Sequence, residues 1–383
     1  MEAYITATAA YLPGDPVVNE DLDRYLGSVA KLSARTRKLI LAGNGIKTRY
    51  YAIDPASGES THSNAQLAAE AVRQLQRSAD AVPIDCLCCG TSSPDQLLPG
   101  HASMVHGELG IPPCAVVSTA GVCLTGVTAL NYGAMAVALG QAKKAVATGS
   151  ETASSFLDTA FFGKMSGAPP SEPDTDSHPA FSFEAEFLRW MLSDGAGAVC
   201  IEARPTAADR LSLRIDWVEI VSHAHRLEPC MYAGALKDGN GRLQGWRELI
   251  RSGCGADRNI FTIKQDARLL NREVIATLVG QSLPGIVAKH RLSPEAIDWF
   301  LPHYSSEYFR EPLARQLRDN DFALEEQRWF TNLSSKGNTG SASFFIMLHE
   351  LFDSGRLRKG QQILGMVPES GRFSVGYLLL TVV

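Results

Sequence analysis

Ser118-Thr119-Ala120-Gly121-Val122-Cys123-Leu124-Thr125-Gly126 joins two stretches of different character. Upstream, Cys114 to Ser118 is a short apolar, β-branched run, which predicts a buried strand. Downstream, Val127 to Leu139 is rich in Ala and Leu and free of Pro, which predicts a buried helix. Cys123 therefore falls at a strand-to-helix junction, where the positive end of the helix dipole favours thiolate over thiol. Gly121 and Gly126 permit a tight turn and close backbone approach. A cysteine in such surroundings is ordinarily a small buried hydrophobe. Residues far along the chain decide between packing and chemistry.

The length of 383 residues suits two ordinary domains or one large two-part core. A hydrophobic content of 45% with 33 Gly and 19 Pro fits a well-packed enzyme with many turns. A net charge of −5, with no basic stripe interleaved with aromatics, gives no footprint for nucleic acid. Met1-Glu2-Ala3-Tyr4 lacks the basic and apolar regions of a signal peptide, and no apolar run has transmembrane length, so a cytoplasmic location is expected. Eight cysteines are scattered through strand-like runs, which fits a reducing compartment better than a disulfide scaffold. Cys86-Leu87-Cys88-Cys89 has no matching Cys/His pair at zinc spacing, so neither a metal nor another cofactor is expected.

Taken in order, strands are predicted at Tyr4 to Leu12, Ile84 to Cys89, Ala142 to Gly149, Leu192 to Ile201 and residues 211 to 222. Three more follow at Ile297 to Leu301, Gln362 to Val367 and Val375 to Val383. Ser63 to Leu75 is an amphipathic helix, and Asp266 to His290 is a long helix broken near Pro284-Gly285. Residues 223 to 262 read as a long loop. Residues 154 to 192 mix Pro169-Pro170 with seven phenylalanine and tryptophan side chains, Phe162 among them, and read as a cap over a pocket. Each half offers a strand, a small-residue junction into a buried helix and a closing strand pair. This implies a duplicated α/β unit dividing into residues 1–210 and 211–383.

The second half supplies partners for Cys123. His303 ends a predicted strand, where either a hydrogen-bonded structural histidine or a catalytic one fits. Asn338 lies at a predicted helix start, where capping alone would explain it. Gly371 fits a turn before the last strand. Together, a cysteine at one helix start, a histidine at a strand end and an asparagine at a second helix start carry more weight than any one of them.

In that combination the chain resembles the ketoacyl synthase III-type condensing enzymes of the thiolase superfamily. The likeness rests on Ala120 to Cys123, Ser193 to Ala198, Leu301-Pro302-His303, Lys336 to Ser343 and Gly371 to Gly376, with Gly45-Ile46 and Arg49 earlier, and spans almost the whole chain. The resemblance implies a thiolase-like, duplicated five-layer α-β-α-β-α fold. It also implies that Cys123 accepts the acyl group, that His303 and Asn338 hold the carbonyl of a second thioester as it becomes an enolate, and that the backbone N–H groups of Cys123 and Gly371 form an oxyanion hole. Acyl carrier protein or coenzyme A thioesters as substrates, and a homodimer, are implied with it.

Departures from the family pattern matter too. Ser370-Gly371-Arg372 replaces a short glycine run, and Leu39 takes the place of a tryptophan that stacks on the adenine of coenzyme A. Leu98 lies where relatives gate the acyl channel across the dimer. Leu98, Phe162, Ser306, Arg372 and Phe373 are the implied pocket residues. Tyr304 to Phe309 and Glu369 to Phe373 look like the branch that makes dialkylresorcinol or stilbene precursors, joining and cyclising two acyl thioesters to a cyclohexanedione. An acyltransferase to an alcohol or amine, a decarboxylative synthase starting fatty acid chains, and a non-catalytic partner subunit remain open at this point.

Overall fold

The computed structural model describes residues 2–28, 34–78, 83–158, 187–207, 210–253 and 258–383. Nine principal strands are β1 (Tyr4–Tyr11), β2 (Cys86–Thr91), β3 (Ala115–Ala120), β4 (Lys144–Glu151), β5 (Gly195–Glu202), β6 (Leu213–Ser222), β7 (Trp299–Pro302), β8 (Gln362–Glu369) and β9 (Ser374–Val382). Backbone pairing links them in the order β7-β8-β9-β6-β1-β5-β4-β2-β3. The middle link is thin, since β1 meets β6 only through Tyr4↔Arg214 and Ile5↔Leu213.

On either side of that link the strand directions repeat. β2 runs parallel to β4, while β4 and β5, then β5 and β1, are antiparallel. Likewise β7 runs parallel to β8, while β8 and β9, then β9 and β6, are antiparallel. β3 extends the first set as a parallel edge strand. At the equivalent place in the second set, Trp329 makes an isolated parallel bridge to Phe300.

The principal helices are α1 (Asn64–Ser78), α2 (His101–Leu109), α3 (Thr125–Ala138), α4 (Ala267–Leu278), α5 (Leu283–His290), α6 (Arg310–Asp319) and α7 (Ser343–Asp353). Alternation along single strands shows how they are layered. Cys86 and Cys88 of β2 pack with Leu130 of α3 and Phe344 and Phe345 of α7, whereas Leu87 and Cys89 face Leu67, Val72 and Val105 on α1 and α2. In the second half, Ile363 and Val367 of β8 join that same central cluster. Leu364 and Met366 face outward to Leu270, Leu278 and Leu313 of α4 and α6. Helices, sheet, the central pair α3 and α7, sheet, and helices thus form five layers. The central pair starts where the site lies.

Three expectations change. β3 is an exposed edge rather than a buried strand: Ala115, Val116, Ser118 and Ala120 all face outward. Its apolar, β-branched pattern is the same for an interior strand and for an edge that awaits a cover, so pattern alone cannot separate them. The helix from Asp266 to His290 breaks earlier than predicted, at 279–282, and Pro284 falls in the first turn of α5, where its missing N–H leaves no bond unmade. The stretch 223–262 is not wholly loop, since Ala235–Lys237 pairs with Leu243–Gly245. Of the aromatic cap, residues 159–186, including Phe162, lie outside the described residues. Its closing segment buries Leu188, Trp190, Met191 and Leu192 in the outer core. Among the described residues no helix is long and apolar enough to cross a membrane.

Candidate active site

Cys123 sits in the turn from β3 into α3, and the turn is closed by the Thr125 N–H donating to Val122 O at 3.2 Å. His303 directly follows β7, and its backbone N–H donates to Met366 O on β8 at 2.8 Å. The imidazole is buried at the sheet's end. Asn338 is fixed from three sides. Its N–H donates to Met191 O at 2.9 Å, its carbonyl accepts from Ser193 N at 2.9 Å, and its side-chain oxygen accepts from Gly340 N at 3.0 Å. A short 3₁₀ turn, Gly340–Ala342, then leads into α7, so Asn338 stands five residues before that helix rather than capping it.

A glutamate clamps this arrangement from beneath. Glu151, at the end of β4, accepts from Ser92 N and Ser92 Oγ at 3.1 and 2.6 Å, from Ser93 Oγ at 2.7 Å, and from Ser341 N at 3.2 Å. It thereby ties the loop that carries Asn338 to the strand ends of the first half. Asp194 does the same one strand over, accepting from Ala52 N and Ser154 N at 2.7 and 2.8 Å, and burial pushes its carboxyl up to about 6.

A cavity of about 250 Å³ opens here, lined by Cys123, Asn338, Glu151, Ser305, Gln265 and Ser370 together with apolar side chains such as Leu188, Leu192 and Ile263. A narrower space of about 30 Å³ shares Cys123, Ser305 and Ser370 with it and adds His303 and Met366. Cys123, His303 and Asn338, 215 residues apart from first to last, therefore border one continuous set of walls.

The electrostatics correct one expectation. Cys123 is not poised as a thiolate by the helix dipole: enclosure by protein raises its pKa, and the carboxylates of Glu369 and Glu151 raise it further. Both carboxylates stand near the start of α3, where the dipole alone would favour an anion, and they act in the same direction as burial. His303 is pushed down to about 4 by burial and so is a neutral imidazole near pH 7. Thiol and imidazole rest uncharged together.

Of the other predicted positions, Gly371 abuts the nucleophile turn: a Cβ placed there would lie 3.0 Å from Val122 Cγ2. Its carbonyl accepts from Cys230 N at 2.9 Å, which fixes the turn. Of the implied pocket residues, the four that are described line neither of these two spaces. Ser306 is buried and accepts from Tyr308 N at 3.3 Å, while its neighbour Ser305 lines the cavity. Arg372 is exposed and donates to Leu227 O at 3.0 Å, whereas Ser370 faces the cavity. Phe373 is wholly buried in the outer core. Leu98 is 85% exposed, and Leu39 is 65% exposed on the helix Ala34–Asn44. Sequence reasoning missed Glu151, Gln265 and Glu369. An acidic residue ending each of two apolar strands, β4 and β8, was the available signal.

Comparison with known proteins bears on the family. Residues 287–380 match the model of the 3-oxoacyl-[acyl-carrier-protein] synthase III C-terminal domain. The chain is 26% identical to the β-ketoacyl-[acyl-carrier-protein] synthase III of Chlorobaculum tepidum over 375 residues, covering 95% of this chain and 94% of that protein. Among solved structures, the tetronic acid condensing enzyme AbyA1 matches with a TM-score of 0.75 at 23% identity over 99% of both chains. OleA from Xanthomonas campestris matches with a TM-score of 0.74 at 19% identity, covering 100% of this chain and 98% of that one. The chain is thus similar to ketoacyl synthase III-type condensing enzymes: residues 287–380 match their C-terminal domain, and the whole chain shares their thiolase-like fold.

Proposed function

We propose that the protein joins two acyl thioesters through a new carbon–carbon bond by way of an acyl-Cys123 intermediate, with residues 1–210 supplying the nucleophile and residues 211–383 supplying His303 and Asn338. In the first step the Cys123 sulfur attacks a thioester carbonyl, the bond to the carrier's sulfur breaks, and the thiol proton leaves with that carrier. The N–H groups of Cys123 and Gly371 stabilise the tetrahedral oxyanion. In the second step the carbonyl oxygen of another thioester is held by His303 and Asn338 while loss of CO₂ or of a proton yields its enolate. The enolate carbon attacks the acyl-Cys123 carbonyl and the thiolate departs, to be reprotonated. A neutral His303 fits a hydrogen-bond donor to the enolate oxygen, a role that needs no positive charge.

The observation that carries this reading is the convergence of Cys123, His303 and Asn338 on shared cavity walls. The Gln265 amide on the cavity wall has an N–H beyond the one it donates to Ser370 Oγ, which favours partners bearing oxygen beyond the thioester, as a β-ketoacyl group does. That agrees with a role in specialised metabolism and with cyclisation to a cyclohexanedione of the dialkylresorcinol type, on acyl carrier protein or coenzyme A. An exposed apolar margin around β3, with Leu97, Leu98, Val116 and Leu139 facing outward, supports a homodimer.

Intact-protein mass spectrometry with a panel of acyl thioesters tests the scheme. Cys123→Ala abolishes the acyl adduct. Asn338→Ala keeps the adduct but loses about 10²–10³ in condensation rate, the usual loss for one oxyanion donor. Normal condensation by Asn338→Ala overturns the enolate assignment, and transfer to an amine or alcohol with no new carbon skeleton overturns the reaction class.

A further inference from the structure

Glu369, the last residue of β8, reaches across from the second half into the nucleophile turn. One carboxylate oxygen, Oε2, accepts from Val122 N at 3.0 Å and from Leu124 N at 3.3 Å, the two N–H groups that flank Cys123. The contact depends on two glycines. A Cβ on Gly121 would lie 3.0 Å from Oε2, and one on Gly371 would lie 3.5 Å from Oε1. The carboxylate is thus wedged between the Gly121–Leu124 turn and the Ser370–Gly371 turn. It forms no part of either cavity wall, and its neighbour Ser370 takes that place.

We propose that Glu369 is a positioning residue for the nucleophile, latching the Cys123 turn to the Gly371 turn and holding Cys123 as a thiol until a thioester arrives. The inference rests on Cys123 being the acylated residue, and it adds a part that acts through Cys123 without touching substrate. Two consequences follow from one contact. Geometrically, the latch fixes the separation of the Cys123 and Gly371 N–H groups, which belong to different halves of the chain. Electrostatically, it occupies the helix-start donors that would otherwise stabilise a thiolate and adds a negative charge beside the sulfur. The groups facing the turn are Glu369 from the end of β8, Glu151 from the end of β4 and His303 from the end of β7, two carboxylates and one neutral ring. A thiol of this kind resists oxidation and stray alkylation, because thiolate is the reactive form. Turnover remains balanced, since the S–H proton leaves with the displaced carrier thiol.

The test is the pH dependence of iodoacetamide labelling, followed on the peptide containing Cys123. Glu369→Gln keeps an oxygen to accept the turn's N–H groups but removes the charge. Its labelling midpoint is expected to fall by a pH unit or more, so that labelling at pH 8 is at least about tenfold faster, with the melting temperature little changed. Glu369→Ala loosens the latch as well, and lowers kcat for acyl transfer more than it alters KM. An unchanged midpoint in Glu369→Gln overturns the proposal. Should that variant fold poorly, the unaltered protein can still overturn the proposal: a Cys123 midpoint at or below the ordinary cysteine value of about 8.5 does so. Labelling reports on the thiol itself, so a shift in Glu369→Gln stands even if no condensation product is found.

Discussion

His303 shows how burial sets both chemistry and stability. Its pKa falls from 6.5 to about 4 on folding, so the folded chain refuses a proton that the unfolded chain accepts. The contribution to stability is therefore complete above about pH 6.5, is lost as pH falls towards 4, and levels off below. At about 1.4 kcal/mol per pH unit the whole span is about 3 kcal/mol. His303→Asn is expected to make the fall in unfolding free energy between pH 6.5 and 4 shallower by that order, measured by urea unfolding at a series of pH values. The rate of condensation has no inflection near pH 6.5 arising from this residue. Cys123, His303 and Asn338 were legible in the sequence because each lies at an element boundary in a short motif. The pocket residues were not. Within a tight turn, one residue of register exchanges cavity for core, which separates Ser370 from Arg372 and Ser305 from Ser306.

Among the elements, the meeting of α3 with the turn before α7 fixes the site's dimensions. Ser341 O sits where side chains on two residues of the first half would be: a Cβ on Gly126 would lie 2.4 Å from it, and one on Gly149 2.2 Å. Backbone cannot swing aside as a flexible side chain does. Gly126→Ala is therefore expected to cost roughly 1–3 kcal/mol of stability through overpacking, seen as a lower denaturant midpoint. It also moves the loop carrying Asn338, so condensation falls more than acylation. The strands themselves were largely readable from apolar runs and turn residues. The cavity wall made by Met231, Tyr232, Ile263 and Gln265 was not, because it comes from short segments without periodicity, held by tertiary contacts.

For the whole molecule, several large apolar side chains stay exposed on and near the first half's edge strand in sequence. Leu97 and Leu98 are 74% and 85% exposed, Leu139 is 71% exposed, and the neighbouring edge strand β3 presents Val116. Hydrophobic side chains at an unprotected sheet edge invite a second strand. Light scattering is expected to give twice the chain mass of 41.4 kDa for the native protein and a monomer for Val116→Lys. A monomeric native protein would contradict this. The duplicated order of strands was foreseeable from two similar runs of elements, whereas the exposure of β3 required coordinates.

The isolated bridge between Trp329 and Phe300 bears on how far such growth can go. At the far rim of the nine strands, Phe330 N donates to Phe300 O at 2.8 Å, so that hem is already stitched by the chain itself. Among the described residues, only one hem of the nine-stranded sheet stays open. Two molecules joined through it by a twofold axis would use up that open hem in both, and the assembly would be finite where a sheet open on both sides would polymerise.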